Sequence, residues 1–85
     1  MIKNTLPLSL ISAGEHVRLV KIRAGKKLTR RLNEMGLTRG VELKIVQASG
    51  GPLLILVRGS RIALGRGIAH KIFVEIITEN NDGGD

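Results

Sequence analysis

The sequence predicts a mainly β fold, a small and strongly bent barrel with one short α-helix inserted after the first long strand. Three observations predict it. Short runs of alternating apolar residues are separated by glycines, one stretch at 26–35 has helical periodicity, and a glycine-directed turn hands that stretch to a strand beginning near 41. The chain has 85 residues, enough for one domain but near the lower limit for burying a sufficient core without a disulfide, a metal or a partner.

Val17 and Leu19 alternate, and Val20 and Ile22 continue the strand out of phase, which predicts a bulge or sharp bend. Leu28, Leu32 and Met35 recur at helical spacing, so the helix runs from about Lys26 to Met35 with one apolar stripe turned inward. Gly36 ends it. A glycine just past the last periodic residue supplies the positive φ of a C-terminal cap, and Leu37 can fold back onto Leu32 as in a Schellman motif. A turn at Thr38, Arg39 and Gly40 follows. Val41 to Ala48 then alternates, with Glu42, Lys44 and Val46 expected to face outward.

After the loop Ala48 to Pro52, Leu53 to Val57 is apolar at every position, the pattern of a strand covered on both sides. Arg58-Gly59-Ser60-Arg61 predicts a hairpin with Gly59 at the first central position of a type II′ turn. Ile62 to Leu64 is the return strand, Gly65 to His70 an irregular turn or a turn of 3₁₀ helix, and Lys71 to Thr78 a last strand with Ile72, Val74 and Ile76 on one face. Gly36, Leu37, Gly40 and Gly59 are thus read as cap and turn residues. Five or so such strands with one helix describe an SH3-like barrel spanning residues 1–78, followed by a polar tail at 79–85 expected to be disordered.

The chain has no cysteine, so neither a thiolate metal site nor redox chemistry can be built, and a cytoplasmic location is expected. Residues 1–14 faintly imitate a signal peptide, but the apolar run is short and is interrupted by Pro7 and Ser9. Fourteen Lys and Arg against seven Asp and Glu give a formal charge of +7. Three of those acids, Glu79, Asp82 and Asp85, lie in the tail, so residues 1–78 without them carry +10. Such a body attracts polyanions: nucleic acid, anionic lipid or an acidic protein face.

Catalytic chemistry has little to draw on. His16 and His70 are the only histidines, and neither has a second ligand at helical or short-loop zinc spacing. They remain weak candidates for a divalent metal such as iron, with Glu15 or residues distant in sequence. Gly65-Arg66-Gly67 lacks the third glycine of a dinucleotide turn, and Ala24-Gly25-Lys26-Lys27 lacks both the upstream glycine and the Ser or Thr of a phosphate loop. Ser9, Ser12, Ser49 and Ser60 are expected to have no nearby base and show no nucleophile elbow. No cofactor is implied, and the balance favours a binding module over an enzyme.

Lys21, Arg23, Lys26, Lys27, Arg30 and Arg31 fall within eleven residues with no acid among them. Lysines in the first helical turn oppose the helix dipole, which favours a use for them over a merely solvated face. Lys26, Lys27, Arg30 and Arg31 are the candidate partner-binding face, with whichever of Leu53, Leu54 or Leu56 is exposed. Phe73 is the sole aromatic, which removes both a stacking platform for single-stranded nucleic acid and the groove by which signalling SH3 domains hold proline-rich peptides.

These residues together resemble the FeoA family of small accessory proteins of bacterial ferrous-iron uptake. The resemblance is carried by Leu6-Pro7-Leu8, Gly14, Val17 to Ile22, Arg31-Leu32-Asn33-Glu34-Met35-Gly36-Leu37, Gly40, Gly51-Pro52-Leu53, Val57-Arg58-Gly59, Ile62 to Arg66 and Ala69 to Ile72. The family often has proline where this chain has Arg39. The resemblance implies an SH3-like barrel akin to the C-terminal domain of metal-dependent repressors, no catalysis, and a partner in FeoB, the ferrous-iron transporter, contacted on its cytosolic side. It supplies no residue-by-residue binding site. A metal-responsive regulatory domain and a nucleic-acid-binding module are the alternatives, self-association through a strand edge is open, and nucleic acid is disfavoured by the missing aromatics.

Overall fold

The computed structural model describes residues 4–78, and the tail expected to be disordered lies outside them. The elements are β1 (Leu6–Pro7), a 3₁₀ turn (Leu8–Leu10), β2 (His16–Ile22), α1 (Lys26–Glu34), β3 (Glu42–Gln47), β4 (Leu53–Val57), β5 (Ser60–Leu64), α2 (Arg66–Ala69) and β6 (Ile72–Ile76). The six strands form one antiparallel sheet in the order β1-β6-β2-β3-β4-β5. It curves around a single apolar core as an open SH3-like barrel, because the edge strands β1 and β5 are not bonded to each other.

The phase slip in β2 is a bulge. Leu19 pairs with Val74 and Lys21 with Phe73, leaving Val20 as the extra residue, so Val17, Leu19 and Ile22 all turn toward the core. A second bulge falls at Val46, between the pairs Ile45–Ile55 and Gln47–Leu54, where the sequence suggested unbroken alternation.

The helix ends as expected. The Leu37 N–H donates to Leu32 O at 2.9 Å and the Gly36 N–H to Asn33 O at 3.0 Å, the two bonds of a Schellman motif, with Gly36 at φ +98°. Leu32 and Leu37 are both buried, so the cap is also a core contact. Gly40, at φ +89°, occupies the third position of a turn closed by Val41 N–H to Thr38 O at 3.0 Å, the place where a type II turn requires positive φ. Arg39 takes the second position, where proline is favoured and not required.

Four expectations need correction. Strand β4 is not covered on both sides: Leu53, Ile55 and Val57 are buried, Leu54 is half-buried and Leu56 is exposed, because among the described residues no layer packs on the outer face of this part of the sheet. The hairpin loop is Arg58-Gly59, one residue earlier than predicted. Val57 pairs with Ser60, and Arg58 at φ 52° and Gly59 at φ 80° give the type I′ combination. Residues 66–69 form a turn of α-helix, with Ala69 N–H to Gly65 O and His70 N–H to Arg66 O both at 3.0 Å. In β6, Ile72 and Val74 are buried but Ile76 emerges at 45% exposure.

The segment before β2 carries structure that its sequence did not announce. Its β1 pairs with β6, and Leu8 and Ile11 are buried in the core. Arg66 holds this segment in place: its Nη1 donates to Ser9 O at 3.0 Å, its Nε to Gly51 O at 3.2 Å and its Nη2 to Ala48 O. One guanidinium fork thereby ties the 3₁₀ turn to the β3–β4 loop.

Gly36→Ala is expected to lower stability by about 1 kcal/mol or more, since an added Cβ meets only Arg58 Cδ at 3.5 Å and the cost is therefore backbone strain. Chemical denaturation checks this, and an unchanged midpoint contradicts a left-handed cap. Arg58→Asn is expected to raise stability by roughly 0.5–1 kcal/mol, because asparagine tolerates the positive φ that a type I′ turn imposes on its first position. A lower melting temperature contradicts it, and shows that packing of Arg58 beside Gly36 outweighs the strain.

Candidate interaction surface

Helix α1 begins at Gly25, whose extended backbone starts the helix without any side-chain cap. Thr29 Oγ1 donates back to Ala24 O at 3.3 Å, so the one hydroxyl in the first turns braces the preceding loop and leaves the leading N–H groups uncapped. Lys26 and Lys27 occupy a first turn that has no acid, adding positive charge to the positive end of the helix. Local stability does not select this arrangement.

The inward stripe is Leu28 and Leu32, and Lys26, Lys27, Arg30 and Arg31 are all exposed. The helix brings the four together but divides them between two flanks. Lys26 and Arg30, one turn apart, border a shallow concavity of about 530 Å³ shared with Ile22, Thr29 and Asn33. A neighbouring concavity of about 250 Å³ also borders Ile22, Thr29 and Asn33 and adds Lys21 and Arg39. Arg31 lies on the other flank, at a recess of about 200 Å³ between α1 and the end of β5. Sequence reading missed Arg39, which reaches the trough because the turn after Gly36 folds back beside β2. Its position between a cap glycine and a turn glycine was the available signal.

None of the four cations forms an ion pair with another described residue. Arg18 forms ion pairs across three strands, its Nη1 meeting Glu75 at 3.2 Å and its Nη2 meeting Glu42 at 3.3 Å. The bond to Glu75, and then that to Glu42, raise the guanidinium pKa further above its ordinary high value. Lys21 Nζ stands 5.6 Å from the centre of the Phe73 ring, so the one aromatic side chain is engaged by a cation and is half-buried.

The leucines proposed to assist the patch do not join it. Leu53 is buried, while Leu54 and Leu56 lie on the outer face of the sheet, with Leu56 opposite Lys44 of β3 and Arg61 of β5. The two histidines sit at opposite ends of the β2–β6 ladder. His16 O accepts from Ile77 N–H at 2.9 Å, whereas His70 precedes Lys71, whose carbonyl accepts from Arg23 N–H at 2.8 Å. Among the described residues no three His, Cys, Asp or Glu side chains form a group fit to hold a metal ion.

One serine does have a base beside it, contrary to the sequence reading: Ser9 Oγ lies 3.0 Å from His70 Nδ1, 61 residues away. The pair is exposed, so nothing excludes water from the hydroxyl, and its geometry is that of a hydrogen bond joining the 3₁₀ turn to α2. No helix of the described residues is long and apolar enough to cross a membrane.

Comparison with known proteins places the chain in a family. The FeoA domain matches residues 6–76. A protein of Methanocaldococcus jannaschii with the provisional name Fe(2+) transport protein A is 45% identical over 69 residues, which cover 81% of this chain and 84% of that one. The crystal structure of an iron uptake regulatory protein, FeoA, superposes with a TM-score of 0.81 at 32% identity over 87% of this chain and all of that one. A manganese-dependent transcriptional repressor shares the fold alone, with a TM-score of 0.81 at 16% identity over 91% of this chain and 44% of the repressor. With the domain matched from β1 to the end of β6, the chain belongs to the FeoA family of small proteins associated with Fe(2+) transport.

Proposed function

We propose that this protein is a non-enzymatic, cytoplasmic accessory module of ferrous-iron uptake, which docks on the cytosolic side of a FeoB-type transporter through the outer face of α1 and so modulates it. The observation that carries the docking site is the set Lys26, Lys27, Arg30 and Arg31: exposed, unpaired with any described residue, and two of them set against the helix dipole. A protein gains nothing in folding from such a face, and an acidic partner surface gains both steering and register from it. Family membership supports the transport system as the source of that surface.

The rival readings differ in what they require. A metal-responsive domain has to build its site around His16 or His70 singly, since the fold holds them apart. A nucleic-acid module uses the same cations on phosphates, without base stacking, because Phe73 is already under Lys21.

Titration into the transporter's isolated cytosolic region at physiological salt, with a random DNA duplex as comparator, separates these readings. Arg30→Glu combined with Arg31→Glu is expected to weaken docking about tenfold or more. The unfolding midpoint should stay within a few degrees, because neither arginine is paired with a described residue or buried. Docking that survives the double reversal refutes α1 as the interface. Binding to the duplex alone refutes the transporter reading.

A further inference from the structure

Strand β5 is an edge strand, and its outward backbone groups can be identified. The two-residue loop makes Val57 and Ser60 a hydrogen-bonded pair, so the residues bonded to β4 are Ser60, Ile62 and Leu64. Arg61 and Ala63 therefore turn both their N–H and their C=O away from β4. Among the described residues no other backbone group accepts from or donates to either of them. Both are exposed.

Beside this edge lies the recess of about 200 Å³, bounded by Leu28 and Arg31 of α1, by Met35 just after it, by Ala63 and by Ile68 of α2. Its walls are largely apolar. Met35 is 41% exposed, Leu28 and Ile68 are half-buried, and no acidic residue lines it. An added strand would send alternate side chains to the two faces of the sheet. Those facing α1 would enter the recess under Arg31, and those facing outward would stand beside Arg61.

We infer that the β5 edge is a strand-addition site for an extended protein segment in which apolar and acidic residues alternate. The apolar residues fill the recess against Leu28, Met35 and Ile68, the acidic residues meet Arg61 on the outward face, and backbone bonds to Arg61 and Ala63 supply affinity independent of sequence. A second copy of this chain fits the edge poorly, because pairing β5 with β5 joins two bodies of formal charge +7 and β5 carries no acid to meet Arg61 of the other copy. The inference concerns the β5 edge, which shares only Arg31 with the α1 docking set, and holds whether or not the transporter supplies the segment.

The test is selection of a displayed library of random eight-residue peptides against the whole protein, followed by amide hydrogen exchange of the complex. Enriched peptides are expected to alternate apolar and acidic residues and to slow exchange at Arg61 and Ala63 at least tenfold. Ala63→Pro removes an N–H that no ladder uses, so it should weaken such peptides at least tenfold while leaving the unfolding midpoint nearly unchanged. Should that variant fold poorly, Arg61→Glu serves instead, with selection expected to shift from acidic to basic peptides. Absence of enrichment overturns the inference, as do peptides that protect only α1 amides. Concentration-dependent protection of Arg61 and Ala63 without peptide overturns it as well, and assigns the edge to a second copy.

Discussion

The bond from the Leu37 N–H to Leu32 O governs how the two parts of this molecule meet. It is a 2.9 Å bond between two buried leucines, and it exists only because Gly36 adopts a positive φ. The cap fixes the direction in which the chain leaves α1. Three residues later Gly40 N–H reaches Leu19 O at 2.8 Å and Leu19 N–H reaches Val41 O at 2.9 Å, so the exit from the helix already forms the start of the β2–β3 ladder. The helix, its cap and the central strands are therefore one cooperative piece, and the cations on α1 are displayed at an angle set by a backbone motif and not by their own contacts.

Cations in this protein fall into two kinds, distinguished by what they touch. Arg66 and Arg18 are satisfied internally, the first by three carbonyls that join distant loops and the second by carboxylates on two neighbouring strands. Lys26, Lys27, Arg30 and Arg31 touch no carboxylate among the described residues. Net charge alone cannot make this distinction, because both kinds count equally toward +7. The structure separates these internally satisfied cations from an exposed set carried by one helix.

Much of this was legible in the residues. The Schellman cap and the turn at Gly40 depend on backbone chemistry confined to a few neighbours, so a local pattern specifies them, and the bulge at Val20, though made against β6, shows as a phase slip within β2 itself. What was misread depends on partners distant in sequence. Leu54 and Leu56 share the composition of a doubly covered strand, and only the absence of an outer layer reveals them as surface. The β1 segment is strand only because β6 lies beside it, and Ser9 meets His70 only once α2 closes over the 3₁₀ turn. The hairpin was placed one residue late because glycine was assigned to the first central position, while the register set by Leu53 to Val57 puts Arg58 there. The free edge of β5 is a property of sheet order, which no single segment encodes.

Native-state hydrogen exchange of the Leu37 amide tests the central role of the cap most directly. If helix and sheet are locked together through it, Leu37 exchanges with the same opening free energy and the same denaturant dependence as the Ile45 amide, which donates to Glu15 O at 3.0 Å within the sheet region. Exchange of Leu37 through a smaller opening that leaves Ile45 protected contradicts the account, because the helix then detaches from the barrel while the strands stay paired.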